Sequence, residues 1–328
     1  MSMTLPNCNE HADYAKFADD TTILTSGSSL EGAVARMNKS LERVDLWFKR
    51  NKLNLNPSKT RYMIFNSSTE ETNLVKIGSE FIERVWDKGK EKCFKLVGIQ
   101  VDEKLKWDKH INYIARKMDW ALYGLTKVSK QLSCSNKKLL YSGLMHSHLV
   151  YGLPIWGFST QGRLHVLLTK QKKAIRKIYN LKYREHTLPF FYEASILKLP
   201  ELIKHTALCY VQSGMAIDSP FHIRELWTTK ESNRDDLRDR GLQLDYQLST
   251  KQWINALPPI AQAKLFNSCK LDKTVQPSTF KLDSKRIYIV EYHTEIYQNP
   301  KLYEEYITKK KESVKAATTI NPNDCAIM

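Results

Sequence analysis

Two adjacent carboxylates, Asp19 and Asp20, stand in the run Tyr14-Ala15-Lys16-Phe17-Ala18-Asp19-Asp20-Thr21-Thr22-Ile23-Leu24. Tyr14 and Phe17 lead in, and Thr21, Thr22, Ile23 and Leu24 lead out, so the pattern predicts a hairpin with the acidic pair at its cap. Like charges side by side repel, and a hard divalent cation relieves that repulsion. Mg²⁺ suits such a pair, because it binds through one or two carboxylates and completes its shell with water and substrate phosphates. A solvated Asp-Asp turn accounts for the same residues without a metal.

The elements that must position this pair lie just downstream. Ser28-Ser29-Leu30-Glu31 reads as a capping box, and Leu30, Val34, Met37, Leu41, Val44 and Phe48 alternate at spacings of four and three. The helix they predict covers one face of a sheet. Leu53-Asn54-Leu55-Asn56-Pro57-Ser58-Lys59-Thr60 then turns into the strand-like Arg61-Tyr62-Met63-Ile64-Phe65. On chemistry alone Lys59 is a surface lysine after a proline turn. Phe81-Ile82-Glu83-Arg84-Val85, a turn near Lys88-Gly89-Lys90 and a strand ending at Val101 predict a second hairpin. Gly98 inside that strand signals a bulge or the close approach of another backbone, and a nucleic-acid backbone is one candidate.

Charge narrows the partners. The 328 residues carry 51 Lys and Arg against 35 Asp and Glu, a net charge of +16, which points to polyanions or an anionic membrane surface. At 42% hydrophobic the chain buries a core and supports two or three domains. From Trp120 to Arg184 no Asp or Glu occurs, while Lys127, Lys130, Lys137, Lys138, Arg163, Lys170, Lys172, Lys173, Arg176, Lys177, Lys182 and Arg184 are basic. Such a stripe suits a phosphate backbone, and an ordinary solvated helix face is its plain alternative. Trp120, Tyr123, Tyr141, Tyr151, Trp156, Phe158, Tyr179 and Tyr183 can stack on bases, although core packing accounts for most of them.

Periodicity places the stripe on helices. Leu164, Leu167, Leu168, Ile175, Ile178 and Tyr179 form one apolar face, and Lys170, Lys173, Arg176 and Lys177 fall largely away from it. Upstream, Asp108 can cap a helix that buries Ile111, Ile114, Ala115, Met118, Leu122, Leu125 and Val128, and Ser135 can cap the next.

The Phe-Ala-Asp-Asp box resembles the catalytic box of reverse transcriptases, and its neighbours resemble that family in the expected order. Phe94-Lys95-Leu96-Val97-Gly98-Ile99-Gln100-Val101-Asp102 looks like the primer-grip hairpin of the palm. Tyr151-Gly152-Leu153-Pro154-Ile155-Trp156-Gly157 and Gln171-Lys172-Lys173-Ala174-Ile175-Arg176 are similar to the region after the palm in jockey-like non-LTR retrotransposon polymerases. The resemblance covers most of the first 215 residues. It implies two-metal nucleotidyl transfer: Asp19 and Asp20 hold Mg²⁺, and Lys59 lies near the triphosphate, where a cation stabilises the leaving pyrophosphate or donates a proton. It implies an RNA template and a DNA primer as partners, contacted through Gly98, Lys170, Lys172, Lys173, Arg176 and Lys177, and a nuclear location. In this family another aspartate, on a palm strand upstream, completes the metal site. Only eighteen residues precede Asp19 here, so the resemblance implies a C-terminal portion lacking the fingers and the first half of the palm. Such a portion is inactive alone unless a separate polypeptide supplies the missing palm.

The remaining signals are weaker. Cys8, Cys93, Cys134, Cys209, Cys269 and Cys325 form no CxxC pair, which argues against a structural zinc site or disulfide framework. Cys8 and His11 have ligand-like spacing but no second pair, and His146 and His148 point to different sides of a helix. Neither a signal peptide nor an apolar window long enough to span a membrane occurs, so an intracellular protein is expected. The terminal Cys325-Ala326-Ile327-Met328 matches the farnesylation pattern with Lys309, Lys310, Lys311 and Lys315 upstream, and a membrane is a partner only if Cys325 is prenylated. Asp235-Asp236 lies among arginines in a salt-bridged surface stretch, and Trp253-Ile254-Asn255-Ala256-Leu257-Pro258-Pro259 predicts a short helix stopped by prolines.

The fold class expected is therefore α+β: a partial polymerase palm over residues 1–106, a mainly helical, basic thumb over 107–215, and a mixed C-terminal extension over 216–328. Beside the polymerase reading stand a non-catalytic nucleic-acid-binding module and a farnesylated membrane-surface protein.

Overall fold

The computed structural model describes residues 12–53, 55–65, 69–89, 92–216, 218–227, 243–245, 258–269, 271, 273 and 276–318. Cys8, His11, Lys90, Asp235, Asp236, Trp253 to Leu257 and Cys325 lie outside them. The molecule mixes helix and strand, in keeping with α+β. It divides into two compact units, residues 1–110 and 111–328.

The first unit opens with the hairpin of β1 (Ala12–Phe17) and β2 (Asp20–Thr25), antiparallel from Ala12 opposite Thr25 to Phe17 opposite Asp20. Helix α1 (Leu30–Arg50) follows, and its predicted face is inward: Leu41 and Val44 are buried, and Leu30, Val34, Met37 and Phe48 are half-buried. The cap differs from the predicted box by one residue. Ser29 Oγ accepts the Gly32 N–H at 3.1 Å, which leaves Glu31 one position too early to bond back, so it complements the positive end of the helix dipole instead.

Short strands complete this unit. β3 (Arg61–Tyr62) pairs in parallel with β6 (Glu83–Arg84), and β4 (Lys76–Ile77) pairs antiparallel with β5 (Glu80–Phe81). Leu41, Tyr62, Val75, Ile77 and Ile82 form the core. Asn38 fastens α1 to this layer: its Nδ2 donates to Leu74 O and its Oδ1 accepts Lys76 N–H, both at 3.0 Å. The second hairpin is β7 (Phe94–Leu96) with β8 (Ile99–Val101). The hairpin predicted across Lys88-Gly89-Lys90 therefore does not form, because residues 80–84 are already paired with β3 and β4. Gly98 is not inside a strand; Val97 and Gly98 are the loop, with φ of 43° and 85°, the double positive-φ geometry of a type I′ turn.

The buried Asp102 carboxylate organises the next loop by accepting the N–H groups of Lys104, Lys106 and Trp107 at 3.2, 3.0 and 2.9 Å. This loop enters α2 (Asp108–Val128), where the boundary between the units falls.

The second unit is helical. Along α2, Ile111, Ile114, Ala115, Met118, Ala121 and Leu125 are buried, as the apolar spacing requires. Then come α3 (Cys134–Tyr141), a π-helical turn (Ser142–His146), α4 (Ser147–Val150), α5 (Leu153–Trp156), α6 (Gln161–Ile178), α7 (Leu188–Glu193) and α8 (Leu199–Gly214). The α3 cap is Ser133, whose Oγ accepts Asn136 N–H at 3.3 Å, rather than Ser135. Helices α9 (Phe221–Arg224), α10 (Pro258–Ser268), α11 (Pro277–Gln298) and α12 (Pro300–Thr318) complete the described part.

Pro258 and Pro259 open a helix, since the first turn needs no intrahelical N–H donor and favours proline's φ, and the short helix expected before them lies outside the described residues. Leu208 and Val211 of α8 share a core with Trp227, Leu244, Ala263, Phe266 and Phe280. Residues either side of the 215/216 boundary are thus packed together. The structure assigns no palm or thumb by itself. No helix among the described residues is long and apolar enough to cross a membrane.

Candidate functional site

Because Phe17 pairs with Asp20, only Ala18 and Asp19 remain to make the turn between β1 and β2. Ala18 takes φ 53°, a left-handed conformation that glycine adopts freely and alanine adopts at a cost of about 1 kcal/mol. Asp19 and Asp20 are both exposed. Strand alternation puts Asp20 on the face of Leu24, which is 51% exposed, and opposite Ile23, which packs against the α1 core. A cavity of about 500 Å³ lies beside the hairpin, between Ile23 to Leu30, one side of α1 and Tyr62 to Phe65.

The pair therefore presents hard oxygen donors to solvent from a tip held by six cross-strand pairs. Among the described residues neither carboxylate is taken up by a hydrogen bond or ion pair. That donor set fits a Mg²⁺ ion held by one or two carboxylates and completed by phosphate oxygens and water. It does not make an all-protein cage: no group of three or more His, Cys, Asp or Glu able to hold a metal occurs among the described residues.

Lys59 is exposed in a tight turn after Pro57. The turn is fixed by Lys59 N–H and Thr60 N–H, each donating to Asn56 O at 3.1 Å, and by Ser58 Oγ donating to Asn56 Oδ1 at 2.6 Å. Arg61 braces it with a bond to Ser58 O at 2.6 Å while pairing with Glu83 at 3.1 Å. The loop is therefore ordered by its own residues, with the Lys59 ammonium left for solvent or a ligand.

The basic stripe separates into inward and outward members. Lys137 is buried, its ammonium 3.1 Å from Asn180 Oδ1 and 3.4 Å from Ile178 O, so it closes the C-terminal end of α6. Lys170 is bound to the Asp119 carboxylate, which ties α6 to α2. Arg176 donates to Glu185 O at 3.4 Å. Lys172 is half-buried, while Lys173 and Lys177, one helical turn apart, are exposed, as are Lys127, Lys130, Lys182 and Arg184. Aromatic residues divide in the same way: Tyr141 and Trp156 are core, whereas Trp120, Tyr123 and Tyr183 are 75%, 59% and 84% exposed.

Gln171, which opens the family-like run before its lysine neighbours but was given no role there, is wholly buried. Its Nε2 donates to Tyr141 Oη and Leu197 O, and its Oε1 accepts Leu199 N–H, all at 2.9 Å. One amide thereby joins α3, α6 and the start of α8. The only advance signal was its position between the apolar residues of the α6 face.

The chain is 24% identical over 205 residues to the RNA-directed DNA polymerase from mobile element jockey of Drosophila melanogaster, and 22% identical over 203 residues to that of Drosophila funebris. Each match covers 60% of this chain and 21% of the relative. The probable RNA-directed DNA polymerase from transposon BS of Drosophila melanogaster is 25% identical over 186 residues, covering 54% of this chain and 20% of its own length. The chain resembles the RNA-directed DNA polymerases of jockey-like non-LTR retrotransposons. The matches span about a fifth of these polymerases. No family model and no solved structure matches the chain.

Seen against these retrotransposon polymerases, the Asp-Asp hairpin and the outward lysines of α6 are the two features of interest. They lie in different units, Asp19, Asp20, Lys59 and Gly98 in the first and Lys170 to Lys177 in the second. Gly98 sits at a hairpin tip, where a backbone approaches most easily.

Proposed function

We propose that this chain is part of an RNA-directed DNA polymerase of the non-LTR retrotransposon type, with a palm portion in residues 12–101 and a thumb-like grip on template and primer in the helices that follow. The Asp19-Asp20 hairpin carries the reading: two unengaged carboxylates on a tight, strained turn braced by α1. Distant similarity to jockey-type polymerases supports it.

In this reading Asp19 and Asp20 would hold Mg²⁺, which would supply activation of the primer 3′-hydroxyl and neutralisation of charge at the departing pyrophosphate. Lys59 offers its ammonium to the leaving phosphates from a turn already ordered by Asn56 and Ser58. Gly98 lets the primer backbone approach β7 and β8. Lys173 and Lys177, with Lys172, meet phosphates without sequence preference, while Lys170 and Arg176 hold the α6 scaffold. A further carboxylate must complete the site, so the chain alone binds primed template without extending it until a complementary palm segment is supplied. A nuclear site of action follows from the same reading.

The sparse ligand set among the described residues favours a second reading, in which the chain binds nucleic acid and catalyses nothing. Primer extension on a primed RNA template with Mg²⁺ tests both, comparing wild type with Asp19→Asn and measuring binding in the same samples. The polymerase reading expects equal salt-sensitive binding by both proteins and, once a complementary palm segment is added, extension by wild type alone. Extension untouched by Asp19→Asn contradicts the assigned role, and persistent binding without extension leaves the second reading.

A further inference from the structure

Helix α2 has an outer face that its core packing does not explain. Tyr113, Arg116, Trp120, Tyr123 and Lys127 recur at alternating spacings of three and four and form one stripe opposite the buried Ile114, Met118, Ala121 and Leu125. Trp120 is 75% and Tyr123 59% exposed, and Arg116 and Lys127 are exposed beside them. Lys127 Nζ lies 5.4 Å from the Tyr123 ring, and Lys117 Nζ lies 5.7 Å from the Tyr113 ring. Aromatic faces and cations thus alternate along the helix.

The carboxylate that borders this stripe, Asp119, three residues after Arg116 and four before Tyr123, is taken up by Lys170, and the next acid in the chain is Glu185. The spacing would also suit a coiled-coil seam, but a second copy of the helix would set Arg116 and Lys127 against like charges in that seam. The chemistry that uses both components is a polyanion carrying planar rings. Trp120 and Tyr123 are about 4.5 Å apart along the axis, close to the roughly 3.4 Å rise between bases of one strand. Bases inside a duplex keep their faces covered, so unpaired bases are the partners that fit.

We infer that the outer face of α2 is a stacking platform for unpaired bases of single-stranded nucleic acid, with Arg116 and Lys127 on the flanking phosphates. This rests on the nucleic-acid reading above and deepens it by naming a strand state. Base stacking on exposed aromatics tolerates any sequence, so the platform favours single strands without choosing among them.

The test measures fluorescence-anisotropy binding of the full chain to a short single-stranded RNA and to the fully paired duplex of the same sequence at one salt concentration. Wild type is compared with the double variant Trp120→Ala/Tyr123→Ala and with Trp120→Phe/Tyr123→Phe, with circular dichroism confirming unchanged helix content. The platform predicts that the alanine variant loses tenfold or more in single-strand affinity, that the phenylalanine variant keeps most of it, and that duplex binding is unchanged. Equal weakening on both oligonucleotides overturns the platform, as does an alanine variant that binds like wild type, and either leaves the nucleic-acid reading standing. A wild-type chain that holds neither oligonucleotide overturns that reading and the platform with it.

Discussion

Phe17 and Asp20 face each other across the first hairpin, so the turn that carries the acidic pair has only Ala18 and Asp19 in it. Ala18 is held at φ 53° to make the turn possible. Replacing it by glycine removes the Cβ clash but enlarges the freedom of the unfolded chain. Ala18→Gly should therefore gain no more than about 1 kcal/mol, and Ala18→Val should lose at least as much. Urea unfolding of the three proteins checks the order.

The Val97-Gly98 turn gives a sharper case. Val97 sits at φ 43°, where a branched side chain is strained, and it is 39% exposed, so little burial compensates. Val97→Asn should stabilise the first unit by about 1 kcal/mol, because asparagine accepts this conformation and Asn-Gly is a preferred type I′ pair. A rise in the urea midpoint without a change in slope is the expected result.

Two buried imidazoles predict how stability responds to acid. Burial pulls His110 down to about 4, and burial, followed by the charges of Lys285 and Lys281, pulls His205 down to about 4. Both are neutral in the folded chain, where His110 Nδ1 accepts Gln100 N–H at 3.3 Å and His205 Nδ1 lies 3.1 Å from Ser284 Oγ. In the unfolded chain each titrates near 6.5. Between about pH 6.5 and 4 the unfolded state therefore binds more protons, so their contribution is complete above 6.5 and is lost as pH falls through that window. Thermal melts at several pH values should show the decline, and His205→Gln should flatten it.

Buried polar chemistry sets the cost of disturbing α6. Gln171→Leu deprives Leu199 N–H, Leu197 O and Tyr141 Oη of their bonds in a dry core, a loss of about 3 kcal/mol. Denaturant unfolding of the variant measures it. A cost below about 1 kcal/mol would show that the three groups find other partners.

The stripe of lysines should behave as two populations. Lys173→Ala with Lys177→Ala should leave stability nearly unchanged and flatten the dependence of log affinity for RNA on log salt by up to about 0.7–0.9 per lysine. Lys137→Ala should do the reverse, lowering stability by about 2 kcal/mol with the salt slope preserved. Paired unfolding and binding curves separate the two.

Local patterns were legible where one physical signal dominates. The first hairpin, the buried face of α1 and the buried face of α2 follow from alternation and from three-four spacing, and the acidic pair stands out because adjacent carboxylates between strands need an explanation. Pairing partners were less legible. Glu83 and Arg84 join Arg61 and Tyr62 in parallel across a long separation, which no local period encodes, and Gly98, read as a bulge or close approach inside a strand, is a turn residue because β7 and β8 pair on either side of it. Side-chain direction was legible on α6, where the spacing turns Lys173 and Lys177 away from the apolar face, but not on α3, where only packing shows that Lys137 is buried and seals α6.

The proposed grip on the backbone of a primed RNA template is tested by equilibrium binding of such a template to the purified chain across a salt series. Tight binding is expected at low salt, weakening linearly in log affinity against log salt with a slope of about −2 or steeper. Failure to bind at low salt, or binding indifferent to salt, would contradict it.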